Sequence, residues 1–114
     1  GLTLTIASSR GRDSLPHLVQ SIGIGQYISY IVSAEDVVNA KPHPEPVLKT
    51  LEHLDAKPQE TLVVGDMAFD IEMGRRANTF TCGVSYGNGS VNELEEAGAN
   101  WVIDDFAQLL NIVF

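Results

Sequence analysis

The strongest constraint on this chain is an alternation. Short runs of apolar and β-branched residues occur at Leu2 to Ala7, Tyr27 to Ser33, Thr61 to Val64, Thr79 to Val84 and Trp101 to Ile103. Between them the spacing predicts helices over Ser14 to Ile22, Pro44 to Leu54, Ala68 to Ala77, Ser90 to about Ala97 and Phe106 to Ile112. Leu15, Leu18, Val19 and Ile22 share one helical face, and Val47, Leu48, Leu51 and Leu54 form another. Pro16 and Pro44 suit first-turn positions, and Ser90-Val91-Asn92-Glu93 has capping-box spacing. Strands alternating with helices select an α/β domain with a mostly parallel sheet and helices on both faces. The strands lack a polar face, as expected of central parallel strands buried on both sides. Ligands of such sheets bind where strands end at their carboxyl edge, so the residues just after each strand carry the functional question.

Composition narrows the classes. The 114 residues suffice for one domain with one core. No apolar run approaches the roughly 20 residues of a membrane span, and no secretory leader is visible. A single cysteine, Cys82, permits no internal disulfide and fits a cytoplasmic location. The formal net charge of −8, from 7 basic and 15 acidic residues, disfavours nucleic acid and anionic lipid as partners.

Four strand ends stand out. After the first strand, Ser8-Ser9-Arg10-Gly11-Arg12 offers hydroxyls, backbone N–H groups and two arginines to an anion, or forms an ordinary solvated turn. After the second, Lys41 sits in Asn39-Ala40-Lys41-Pro42-His43-Pro44-Glu45-Pro46, where three prolines stiffen the chain; it is either a fixed positive charge or a surface lysine. After the third, Gly65-Asp66-Met67-Ala68-Phe69-Asp70 places two carboxylates about one helical turn apart. They suit Mg²⁺, which takes one or two carboxylates and keeps waters or phosphate; they equally suit a helix N-terminus. After the fourth, Ser85 to Ser90 is a loop whose two glycines and Asn88 permit positive φ. His17, His43 and His53 lack zinc-ligand spacing, Cys82 reads as a core thiol, and Asp104-Asp105 reads as a cap for the last helix.

The order of these features is more specific than any one of them. A hydroxyl after one strand, a lysine in K-P-x-P after the next, and G-D-x-x-x-D after the third resemble the haloacid dehalogenase-like hydrolase superfamily. Ser8 matches its second motif, Lys41 its third, and Asp66 with Asp70 its fourth. The run G-D-M-A-F-D-I-E-M-G-R-R-A-N, followed by a strand ending near Tyr86-Gly87, is similar to the phosphoglycolate phosphatase and β-phosphoglucomutase branch. Met67 and Asn78 depart mildly, standing where the family commonly has a small hydroxyl residue and a glycine. The resemblance implies a three-layer, Rossmann-like core and phosphoryl transfer through an aspartyl-phosphate. It implies Asp66 as a direct Mg²⁺ ligand and Asp70 as a holder of metal-bound water or a brace. Ser8 and Lys41 become catalytic residues. Ser8, Ser9, Arg10 and Lys41 become phosphate-binding residues, with a small phosphorylated metabolite as substrate.

The family's first motif, D-x-D-x-T, supplies its nucleophile and general acid/base, and no D-x-D occurs in these 114 residues. The helical cap that follows that motif has no counterpart either. The resemblance therefore implies the C-terminal part of a core domain, inactive alone. The D-x-D strand lies, in the family, between the strands carrying Ser8 and Asp66. The chain is expected to be a piece of a longer phosphatase, to receive a strand from another chain, or to close its sheet by pairing the Ile6 and Val63 regions directly. Unpaired edges would favour strand complementation or oligomerisation. Alternative functions are a non-catalytic interaction module with this fold, or a phosphomutase. A receiver-type domain would want an acidic pair at an early strand end, which is absent.

Overall fold

The computed structural model describes residues 2–14, 20, 23 and 27–113. The helix expected over Ser14 to Ile22 lies largely outside the described residues. The strands are β1 (Leu4–Ala7), β2 (Ile28–Val32), β3 (Leu62–Gly65), β4 (Phe80–Val84) and β5 (Trp101–Ile103); the helices are α1 (Glu45–Leu54), α2 (Ala68–Arg76), α3 (Val91–Glu96) and α4 (Leu109–Val113). Each strand of the alternation is present. The last helix differs: its predicted first turn, Phe106–Gln108, is 3₁₀, because Asp105 Oδ1 accepts from Ala107 N at 2.9 Å and Gln108 Oε1 accepts from Asp104 N at 3.0 Å.

All strand pairs are parallel, in two sheets. One is β1–β2, with Ile6 opposite Ile31; the other runs β3–β4–β5, with Val64 opposite Cys82 and Gly83 opposite Val102. Among the described residues no ladder joins β1 to β3, so the Ile6 and Val63 regions do not pair. Helix α1 spans the interval, packing on β1 and β2 from one side and on α2 from the other.

Only β4 has the double-sided burial expected of every strand. Cys82 and Val84 point to a cluster with Ile103, Leu62, Leu109 and Ile112, so α4 covers that face. Thr81 and Gly83 point the other way, against Gly74 of α2 and Leu94 of α3. Helices therefore lie on both faces of this sheet. By contrast, Val64 on β3 and Leu4 on β1 are exposed, since each strand is an edge. The second cluster joins Val47 and Leu51 of α1 to Met73 and Ala77, with Val63 packed against it. Leu48 was expected in that stripe but is exposed; Thr50 takes the inward position and returns its hydroxyl to Pro46 O at 2.9 Å. Ile71 is wholly buried, worth about 1.5–3 kcal/mol of apolar transfer. Its place on α2 fixes that helix, and with it Asp70, against the sheet.

Candidate phosphate and cation site

The carboxyl ends of β1, β2 and β3 bring the expected residues to one edge. Ser8 follows β1 directly, its N–H donating to Val32 O at 3.0 Å, so the strand register extends to it. Its Oγ accepts from Arg10 N at 3.1 Å, which leaves the hydroxyl proton free to donate. Ser8 and Ser9 line a cleft of about 90 Å³ with Val32, Ser33, Ala40 and Lys41. Arg10 is exposed, and its carbonyl accepts from Ala34 N at 2.9 Å.

Arg12, the second arginine of this loop, is engaged within the fold. Its guanidinium is bound to Asp36 Oδ1 at 2.6 Å. The other oxygen, Asp36 Oδ2, accepts from Ser33 N at 2.8 Å and Ser33 Oγ at 2.7 Å. These donors, Ser33 N first and then the Ser33 hydroxyl and Arg12, hold the Asp36 carboxyl down at about 2. The loop after β1 is thereby locked to the turn after β2, which sets the position of Ser8.

Lys41 is held by its own segment. Glu45, the first residue of α1, reaches back: Oε2 accepts from Val38 N at 2.8 Å, and Oε1 accepts from Asn39 N at 3.1 Å and Asn39 Nδ2 at 3.2 Å. These bonds, Val38 N foremost, lower the Glu45 pKa. His43 Nδ1 accepts from Glu45 N at 3.0 Å, so this histidine caps α1. His53 stacks on Tyr30 with ring centroids 3.9 Å apart. So framed, the Lys41 ammonium lies 2.7 Å from Asp70 Oδ1, with both side chains largely buried.

Asp70 serves two roles. Its Oδ2 accepts from Met67 N at 3.2 Å, which caps the first turn of α2, while Oδ1 takes Lys41. Gly65 makes room for it: a Cβ there would lie 2.6 Å from Asp70 Cγ. Asp66 is gripped by the loop after β4. Its Oδ2 accepts from Asn88 N at 3.1 Å and Asn88 Nδ2 at 3.2 Å, and its carbonyl accepts from Gly89 N at 2.8 Å. Gly87 and Gly89 permit positive φ, but neither adopts it. They supply closeness instead. A Cβ at Gly87 would lie 2.5 Å from Asp66 Oδ2, and one at Gly89 would overlap the Asp66 carbonyl oxygen. Sequence reasoning read this loop only as a turn and missed Asn88. An asparagine flanked by two glycines beside the strand ends was the available signal.

Asp66 Oδ1 has no hydrogen bond or ion pair among the described residues. A free carboxylate oxygen at a strand's carboxyl end is a hard donor suited to a divalent cation. Among the described residues no three His, Cys, Asp or Glu side chains gather as a ligand set. The arrangement fits a cation that draws few protein ligands and completes its shell with water and phosphate, as Mg²⁺ does. The deeply buried Cys82 plays no part; burial raises its thiol pKa.

Residues 1–84 match the family model described as haloacid dehalogenase-like hydrolase. The pyrophosphatase PpaX of Oceanobacillus iheyensis is 36% identical over 112 residues, covering 98% of this chain and 52% of that protein. A crystal structure of a predicted phosphoglycolate phosphatase from Haemophilus somnus superposes with a TM-score of 0.93 at 24% identity, over 100% of this chain and 51% of that one. A Thermotoga maritima protein assigned as a beta-phosphoglucomutase gives a TM-score of 0.90 at 25% identity, over 99% of this chain and 54% of its own. The chain spans about half the length of the curated relatives it matches.

Proposed function

The chain belongs to the haloacid dehalogenase-like hydrolase family, and from that premise we propose that it supplies the phosphate- and cation-handling half of a Mg²⁺-dependent phosphatase. The observation that carries this reading is the meeting of Lys41 and Asp70 at 2.7 Å, with Ser8 lining the same cleft as Lys41 and Asp66 following β3 directly, four positions before Asp70. A phosphoryl group placed at this edge brings several negative oxygens next to two carboxylates. Such a crowd needs positive charge that is already in place, because reorganising it during reaction costs rate.

Each residue then has a task. Ser8 donates its free hydroxyl proton to a phosphoryl oxygen, Ser9 in the same cleft offers a further donor, and the exposed Arg10 beside it another. Lys41 has three N–H donors; one is committed to Asp70, and the others offset phosphoryl charge. Asp66 presents Oδ1 to the cation. Asp70 holds Lys41 in place and would support a cation bound at Asp66. Mg²⁺, when bound at Asp66, supplies a Lewis acid that neutralises charge on the transferring group. The nucleophile is not among these residues, since no D-x-D occurs in the 114. A polypeptide of these residues alone is therefore expected to release no phosphate.

The substrate class this reading favours is a small phosphorylated molecule. The resemblance to a pyrophosphatase at 36% identity makes inorganic pyrophosphate the first compound to try, ahead of phosphoglycolate and other monoesters. The test is phosphate release by the gene product that carries these residues, with pyrophosphate, phosphoglycolate and p-nitrophenyl phosphate, in Mg²⁺ and in EDTA. Turnover of any of the three that EDTA abolishes supports the phosphatase. Absence of turnover with all three supports the non-catalytic module instead.

A further inference from the structure

The geometry assigns Asn88 as the positioning residue for the Asp66 carboxylate, a role that rests on the cation site just proposed. A lone carboxylate at a strand end can rotate about its last bond, and a rotating ligand holds a metal poorly. Here one oxygen is taken. Asn88 donates to Asp66 Oδ2 twice, from its backbone N–H at 3.1 Å and from its side-chain amide at 3.2 Å. A two-point grip fixes the carboxylate plane, whereas a single bond would leave it free to turn. The opposite oxygen is then the one presented. The grip is also braced: Gly89 N–H holds the Asp66 carbonyl at 2.8 Å, and the missing side chains of Gly87 and Gly89 let the loop approach this closely. A loop serving only to connect β4 with α3 would have no need of three donors on one residue after β3. Partners of this kind set ligand orientation, and losing one commonly costs 10- to 100-fold in metal affinity.

The probe is Mn²⁺, which shares the preference for oxygen ligands and can be counted by its free-ion electron resonance signal. It is titrated into the gene product carrying these residues. The parent is expected to bind Mn²⁺, and Asp66→Asn to abolish binding. Asn88→Ala keeps the backbone donor, removes the amide and is expected to weaken binding about tenfold. Gly87→Ala provides a second route: its added Cβ displaces the loop from Asp66 while keeping both Asn88 donors in the sequence, and it too is expected to weaken binding. Diamagnetic Mg²⁺ should shift the Asn88 side-chain amide signals of the parent but not of Asp66→Asn. Parent-like affinity in both Asn88→Ala and Gly87→Ala overturns the assignment while the cation site stands. An amide signal unmoved by saturating Mg²⁺ does the same. Parent-like binding by Asp66→Asn overturns the cation site, and the role of Asn88 with it.

Discussion

The Lys41 ammonium and the Asp70 carboxylate meet at 2.7 Å, although one follows the β1–β2 sheet and the other follows a strand of the β3–β4–β5 sheet. No strand ladder crosses between those sheets among the described residues. The ion pair therefore ties the sheets together at their carboxyl edge, as α1 does through its packing. Removing Lys41 leaves Asp70 largely buried without its counter-charge. Lys41→Met is expected to lower stability by about 2 kcal/mol, discounted from the fully buried case for the exposure that remains. Asp70→Asn added to it should recover part of that loss, a coupling of about 1 kcal/mol in a urea-unfolding double-mutant cycle. Strict additivity would mean that the two groups do not support each other.

The clamp on Asp36 predicts an acid-sensitive step. Its pKa is lowered from 3.8 to about 2, by Ser33 N–H first, then the Ser33 hydroxyl and Arg12. A depressed carboxyl stabilises the fold above its unfolded value and loses that contribution as pH falls towards the folded value. Stability should therefore decline between about pH 4 and pH 2, and Asp36→Asn should flatten that part of the profile. Unfolding midpoints measured across this range check it; an unchanged slope in the variant removes the clamp from the account.

Asn78 has φ 65° at the end of α2, followed by Thr79 N and Thr79 Oγ1 both returning to Gly74 O. Asparagine tolerates this left-handed conformation and glycine is at ease there, while a plain Cβ residue is strained. Asn78→Gly is expected to leave stability within about 0.5 kcal/mol, and Asn78→Ala to lower it by about 1 kcal/mol. Equal midpoints for the two variants in thermal unfolding would contradict the capping account.

Cys82 is fully buried, and burial raises its thiol pKa. Its reaction with a thiol reagent should be negligible in the native protein and complete after denaturation. A native-state reaction as fast as that of free cysteine would show that the α4 face of β4 opens readily.

Much of this arrangement is legible without coordinates, for a physical reason. Strand and helix periodicity are local, so the alternation and the separation of Asp66 from Asp70 by one turn follow from spacing alone. Lys41 is predictable because the prolines that follow it, Pro42, Pro44 and Pro46, narrow the backbone choices of its segment. What escapes local reading is contact between loops distant in sequence. The Arg12–Asp36 pair diverts an arginine that looks available to an anion. The Asn88 grip on Asp66 makes a brace of an apparent turn. Leu48 fails for a related reason: a helical stripe gives a direction, but neighbouring elements decide how wide a face is covered.

The central claim is that Ser8, Lys41 and Asp66 form one phosphate- and cation-handling edge, and variant kinetics test it most directly. Phosphate release in Mg²⁺ is followed for the gene product carrying these residues, using whichever of the three test compounds it turns over. Lys41→Ala and Asp66→Asn should each lower kcat by at least about a hundredfold, and Ser8→Ala by about tenfold. Raised Mg²⁺ should rescue none of the loss in Lys41→Ala. Turnover within twofold or so of the parent in both Lys41→Ala and Asp66→Asn would contradict the account.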